Sequence, residues 1–227
     1  MTPDLWLICM CCLLQTVVSG DPWALLVTGS KGWDNYRHHS DVAHAYHHIA
    51  QVHHQIVTFQ YNDVPTLPDN PFPGQLYNHP SGKTTGVDVN AGMVKDYTKA
   101  AVTKAAILGA LTCSNTSGPC VHSTSDDDIF MYWAGHGTKG MLLLPSMRSE
   151  DALYADELLE ALGHDELRVA VVLLFEDAIG RRHEVIVHRV GRLVVAHRTV
   201  GEAHRGVGVG VPRLFRHQLT HAAHKQA

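Results

Sequence analysis

Residues 23–30, WALLVTGS, form a short apolar run that stops at Gly29, the pattern of a strand buried on both faces. The next stretch, GWDNYRHHSDVAHAYHHIAQV, opens with turn residues and then sets Val42, Ala45, Tyr46 and Ile49 at helical spacing, which predicts an amphipathic helix. Ile56 to Tyr61, IVTFQY, is β-branched and aromatic and predicts a second strand. It runs into NDVPTLPDNPFPG, where four prolines exclude regular structure. Residues 75–100 are polar and turn-rich, and AAVTKAAILGALT then supplies helix formers with apolar residues on one side. SDDDIFMYWAGHG gives an acidic turn and a third strand, Ile129 to Trp133. YADELLEALG predicts a helix ended by Gly163, and RVAVVLLFEDA a fourth strand, apolar almost throughout. Strands alternating with helices predict an α/β fold with a mainly parallel sheet flanked by helices. Ligands of such sheets gather beyond the carboxyl ends of the strands.

Length and charge refine that picture. At 227 residues and 45% hydrophobic content the chain can bury one core, and nothing calls for a second. The net charge of -4 conceals an asymmetry, because residues 1–180 hold 9 Lys and Arg against 20 Asp and Glu, whereas residues 181–227 hold 9 against 2. The basic segment has almost no aromatics to stack bases, which argues against nucleic acid as a partner. At the amino end, Leu5 to Val18 is apolar but too short to span a bilayer, and Ser19 and Gly20 follow it. Residues 1–20 therefore read as a secretory signal peptide with no stable membrane insertion after its removal, although Asp4 stands where a Lys or Arg is usual; a buried first strand or a short anchor is the alternative.

Removal of that segment would take Cys9, Cys11 and Cys12 with it and leave Cys113 and Cys120, which in an oxidising compartment suggest one bridge closing a short loop. Two free thiols remain the alternative, since spacing alone does not fix geometry. Between them Asn115, Thr116 and Ser117 match the N-glycosylation acceptor. Paired histidines at His38/His39, His47/His48 and His53/His54, with His44 and His48 one turn apart, raise a metal-binding module as a separate function class. No Cys, Asp or Glu completes a recognisable ligand spacing there, and a chelator's effect on the melting temperature would decide the point.

The chemistry concentrates in MYWAGHGTKG. His136 follows the third strand between Gly135 and Gly137, which would allow tight turns and leave a backbone N–H open to a substrate oxygen. A histidine so placed can act as a general base near neutral pH, and a plain loop histidine is the bland alternative.

Four stretches in the same order, WALLVTGSKGWDNYRHHSDVAHAY, YND followed by PDNPFPG, KDYT, and DDDIFMYWAGHGTKG, resemble the legumain family of asparaginyl endopeptidases from about Trp23 to about Phe175. The catalytic subunit of the GPI transamidase is similar at its start, but PDNPFPG and KDYT look more like legumain. The resemblance implies a caspase-like α/β domain in the secretory pathway (lysosomal, vacuolar or extracellular), a Cys–His dyad, no metal or other cofactor, and peptide or protein substrates cleaved after Asn or, at acid pH, Asp. On the same resemblance His136 matches the catalytic histidine, the Gly137 N–H the oxyanion donor, and Asn35 the residue orienting the histidine. Arg37 and His38 match positions lining the specificity pocket, and Glu176 matches a further pocket residue.

The family pattern then breaks. Asp177 and Ala178 stand where the nucleophilic cysteine is expected, and no Cys occurs after Cys120. Neither residue can replace a thiolate. From Arg181 onward the chain has no Asp, Asn, Ser, Tyr or Trp and resembles translation in another reading frame, with a basic low-complexity tail as the alternative. The expected organisation is a signal peptide over 1–20, a truncated peptidase domain over 21–180 and an atypical tail over 181–227. Its sheet would be incomplete after the fourth strand, leaving an apolar edge and poor solubility. The expected function is an asparaginyl cysteine endopeptidase lacking its nucleophile here; the alternatives are a non-catalytic pseudoenzyme or truncated product, or a catalytic subunit like that of the GPI transamidase.

Overall fold

The structure is a computed structural model, and it describes residues 22–51, 55–78, 86–114, 117–124, 127–138 and 140–163, with the backbone of 168–176, 182–190 and 192–199. The expected signal peptide, Asn115, His53, His54, Asp177, Ala178 and residues 200–227 lie outside the described residues. Four strands are mutually parallel: β1 (Trp23–Thr28), β2 (Gln55–Phe59), β3 (Asp128–Thr138) and β6 (Arg168–Glu176). Two short strands, β4 (Met141–Leu142) and β5 (Leu153–Tyr154), branch from the end of β3. The helices are α1 (Tyr36–Ile49), α2 (Lys104–Thr112) and α3 (Ala155–Gly163). Among the described residues no helix is long and apolar enough to cross a membrane.

Period-two alternation sorts the central strands between two cores. Trp23, Leu25 and Val27 of β1 and Ile129, Met131 and Trp133 of β3 face a cluster closed by α2 and α3, through Ile107, Ala110, Leu111, Leu158, Ala161 and Leu162. The intervening Ala24, Leu26, Phe130, Tyr132 and Ala134 face a second cluster closed by Val42, Ala43 and Ile49 of α1. Strands apolar on both faces thus become the middle layer of a three-layer α/β sandwich. Thr103 starts α2 as its N-cap, its hydroxyl accepting from the Ala106 N–H at 3.2 Å. The proline-rich stretch forms no more than a 3-10 turn at Val64–Thr66, with Pro65 near its start.

The sheet order is β2-β1-β3-β6-β7-β8, in which β7 (Arg182–Val190) and β8 (Arg192–Thr199) run antiparallel. The α/β, mainly parallel expectation holds for the first four strands in this order. The expectation of an exposed apolar edge beside the fourth strand is corrected, because β7 pairs with β6 from Val169↔Arg189 to Glu176↔Arg182, and the reason given for poor solubility goes with it. Val185, Ile186, Val187, Val194 and Val195 of this segment are β-branched residues suited to a pleated ladder.

Candidate active site

The end of β3 departs from the expected turn. Instead of stopping at Trp133, the strand continues through Gly135, His136 and Gly137, with His136 in register opposite Glu176 and Gly137 opposite Leu142. Neither glycine adopts a left-handed backbone. Gly135 is required instead by close approach: a Cβ there would come within 2.9 Å of Trp133 Nε1 and 3.1 Å of Gly29 Cα. Gly29 meets the same crowding from the other side, since its Cβ would sit 2.7 Å from both the Leu143 carbonyl oxygen and the Trp133 ring. The two glycines let β1 and β3 close together at their carboxyl ends, and the Gly29 N–H donates to the Ala134 carbonyl at 2.9 Å.

From that junction the chain turns into α1. Gly32, with φ 85, takes a backbone that other residues resist, and its N–H donates to Asp63 Oδ2 at 2.8 Å. Asn35 follows as the residue before α1, where an Asn ordinarily caps the helix with its side-chain oxygen. Here the side chain makes no capping bond. Its Nδ2 donates to the Lys31 carbonyl at 2.6 Å, which turns Oδ1 toward His136 Nε2, also 2.6 Å away. An amide oxygen only accepts, so Nε2 carries the proton and the lone pair of the neutral ring lies on Nδ1. That tautomer can take a proton from a nucleophile or from water.

His38 packs edge-on against His136, with ring centres 4.9 Å apart. A guanidinium only donates, so the 3.2 Å contact from Arg37 to His38 Nε2 makes that nitrogen an acceptor and leaves Nδ1 to donate to Ser30 Oγ at 2.8 Å. Asn35 and His38 thus contact His136 directly, and Arg37 contacts His38. The backbone of Glu176 reaches the same end of the sheet through its register with His136.

Beneath the loop lies His39, fully buried. The His38/His39 pair marks it in the sequence only as a metal-ligand candidate, and its actual partners, Ser30 and Asp63, are set by the fold. His39 Nε2 donates to the Ser30 carbonyl at 3.2 Å and lies 3.6 Å from Asp63 Oδ1. Burial pushes its pKa down to about 4, outweighing the pull of Asp63 in the opposite direction. A histidine depressed when folded binds fewer protons than when unfolded between about pH 6.5 and its folded value. Its contribution is therefore present above about pH 6.5 and is lost as pH falls toward the depressed folded value. We expect His39→Gln to flatten the pH dependence of urea unfolding in that window, and an unchanged slope would show that His39 does not set it.

The remaining candidates lie apart. Cys113 and Cys120 are joined as a disulfide in the loop after α2. His44 and His48 meet at 3.0 Å between their Nε2 atoms, and among the described residues no Cys, carboxylate or further His completes a three-ligand set with them.

Comparison with known proteins sets this geometry in context. The model of the family described as Peptidase C13 matches residues 22–175. The chain is 40% identical over 151 residues to the vacuolar-processing enzyme beta-isozyme of Arabidopsis thaliana, covering 63% of this chain and 30% of that protein. It is 35% identical over 170 residues to the hemoglobinase of Schistosoma mansoni, covering 72% and 38% respectively. The vacuolar-processing enzyme of Vicia sativa is 42% identical over 153 residues, 63% of this chain and 29% of its own length. The chain thus spans between 29% and 38% of the length of these relatives.

Proposed function

The chain belongs to the Peptidase C13 family, and from that membership we propose that residues 21–180 form the base-bearing part of an asparaginyl cysteine endopeptidase site, with His136 as general base and Asn35 as the residue that positions it. The observation carrying this reading is the 2.6 Å contact between Asn35 Oδ1 and His136 Nε2, which leaves α1 without its side-chain cap. An uncapped helix end forgoes about 1 kcal/mol, an expense explained if the amide serves the histidine instead. The Gly137 N–H is assigned as oxyanion donor. Arg37, His38 and Glu176 are assigned to the pocket that reads the substrate side chain, where a guanidinium and a carboxylate can address the oxygen and nitrogen of a side-chain amide. Substrates are peptides or proteins with Asn, and the names of the relatives favour a vacuolar or secretory location.

A second reading rests on one fact of sequence: the 227 residues hold no Cys after Cys120, and Asp177 and Ala178 occupy the place expected for the nucleophile. In that reading the site binds Asn-containing peptides without cleaving them. Fluorescence anisotropy with a labelled peptide separates the possibilities. We expect saturable binding of an Asn peptide, weaker binding of its Leu counterpart, and at least about a tenfold loss in Arg37→Ala, the size of one charge-assisted hydrogen bond. Equal binding of both peptides would remove the pocket assignment.

A further inference from the structure

At the amino-terminal end of β3, opposite His136, the Cys113–Cys120 bridge is partly exposed and in contact with a histidine. His122 Nδ1 lies 3.5 Å from Cys113 Sγ, and His122 Nε2 lies 3.3 Å from Cys120 Sγ. The imidazole thus spans the two sulfurs and is itself open to solvent. From this arrangement we propose that Cys113–Cys120 is a thiol–disulfide exchange site that takes small dithiol reductants, with His122 as its proton donor. The proposal is independent of the function assigned to His136.

The two sulfurs are not equivalent. Cys113 is the residue that ends α2, with φ 49, next to the carbonyl end of the helix, where negative charge is disfavoured. Cys120 stands outside the helix and makes the shorter contact with His122. The incoming thiolate therefore attacks Cys113 Sγ, and a mixed disulfide forms there as the bond to Cys120 breaks. Cys120 leaves with the electron pair and takes a proton from His122 Nε2. The second thiol of the reductant then displaces Cys113, which completes a two-electron reduction to two protein thiols and the oxidised reductant.

Contacts unrelated to the bridge hold the loop in place, so the opened thiols stay near one another. The Val121 N–H donates to the Ala110 carbonyl at 2.8 Å with Val121 buried in the core. Tyr97 donates its hydroxyl to the Pro119 carbonyl at 2.8 Å, and its ring stacks on Phe59 with centres 4.1 Å apart. A Cβ at Gly118 would come within 2.7 Å of the Tyr97 ring, so that ring fixes the loop from its inner side. His122 also meets Trp23 edge-on, with ring centres 6.3 Å apart. Anchored on both flanks, the loop keeps the effective concentration of one thiol toward the other high, and the bridge recloses by the reverse exchange when the oxidised dithiol is in excess and is itself reduced.

The test treats the full chain with dithiothreitol under native conditions, quenches with acid, alkylates, and reads the label at Cys113 and Cys120 by peptide mass. We expect the bridge to open without denaturant and without change in the far-ultraviolet circular dichroism, and to reclose with oxidised dithiothreitol. His122→Gln should slow opening on the order of threefold, and His122→Lys, which supplies a proton-donating nitrogen, should recover part of that rate. A bridge that opens only in denaturant, or equal rates in all three proteins, would overturn the proposal.

Discussion

Incubated with a fluorogenic peptide carrying Asn before the scissile bond, the 227-residue chain is expected to release no fluorophore above the rate of peptide alone by more than about 10³-fold in the rate constant, a level undetectable for so slow a reaction. An acyl-enzyme needs a nucleophile that the His136 base can deprotonate, and the residues after the fourth parallel strand offer Asp177 and Ala178 instead. In a hydrolase triad, loss of the nucleophile alone removes on the order of 10⁶-fold in turnover, about as much as losing the whole triad. Cys113 cannot substitute, because it is bonded to Cys120 in the loop after α2, at the other end of the sheet. Thiol alkylation should accordingly change nothing. Installing Cys at Ala178 alone should not restore cleavage, since the family model's match ends at residue 175 and leaves the segment from Arg182, which forms the antiparallel pair β7 and β8, outside it.

The second large effect concerns the core beneath the site. Trp133→Ala is expected to destabilise the fold by about 3–5 kcal/mol, read from the urea midpoint at neutral pH. The indole is fully buried among residues that α2 and α3 close over, and the Gly29 and Gly135 backbones lie against it because neither carries a Cβ. Such a junction cannot collapse around a missing ring, so most of the cavity persists. The loss is a large fraction of the 5–15 kcal/mol typical of a domain. Trp133→Phe should cost much less, because it keeps a ring and removes an indole N–H that is buried without a hydrogen-bond partner. Similar losses for the two substitutions would mean that the ring is not what the strands pack on.

How far the sequence carried the reading depended on the range of the interaction. Local patterns located α1, α2 and α3 and the four parallel strands, because helical spacing and apolar runs are properties of neighbouring residues. The extent of β3 was not local. Gly135, His136 and Gly137 read as a turn, yet they stay extended because β6 on one side and β4 on the other supply partners distant in the chain. Asn35 was reached through family resemblance, and from residue type alone it would have been taken for a helix cap. Its diversion to His136 spans 101 residues. Spacing marks His39 as half of a His pair but does not join it to Ser30 and Asp63, since what brings the three together is the folding of one loop over another. In β7 and β8 the Val and Ile runs are local signals that suit a strand, whereas the pairing with β6 is set by residues distant in the chain.

The central claim is that His136, held by Asn35, is the base of an asparaginyl endopeptidase site. It is tested most directly in a chimera whose residues after Phe175 are replaced by the corresponding segment of the Arabidopsis thaliana vacuolar-processing enzyme beta-isozyme, by measuring kcat/KM on the Asn peptide with and without His136→Ala. The account predicts cleavage by the chimera that alkylation abolishes, at least about a 10⁴-fold fall in kcat/KM for His136→Ala, and a smaller fall, carried by kcat, for Asn35→Ala. An active chimera whose kcat/KM survives His136→Ala would contradict it.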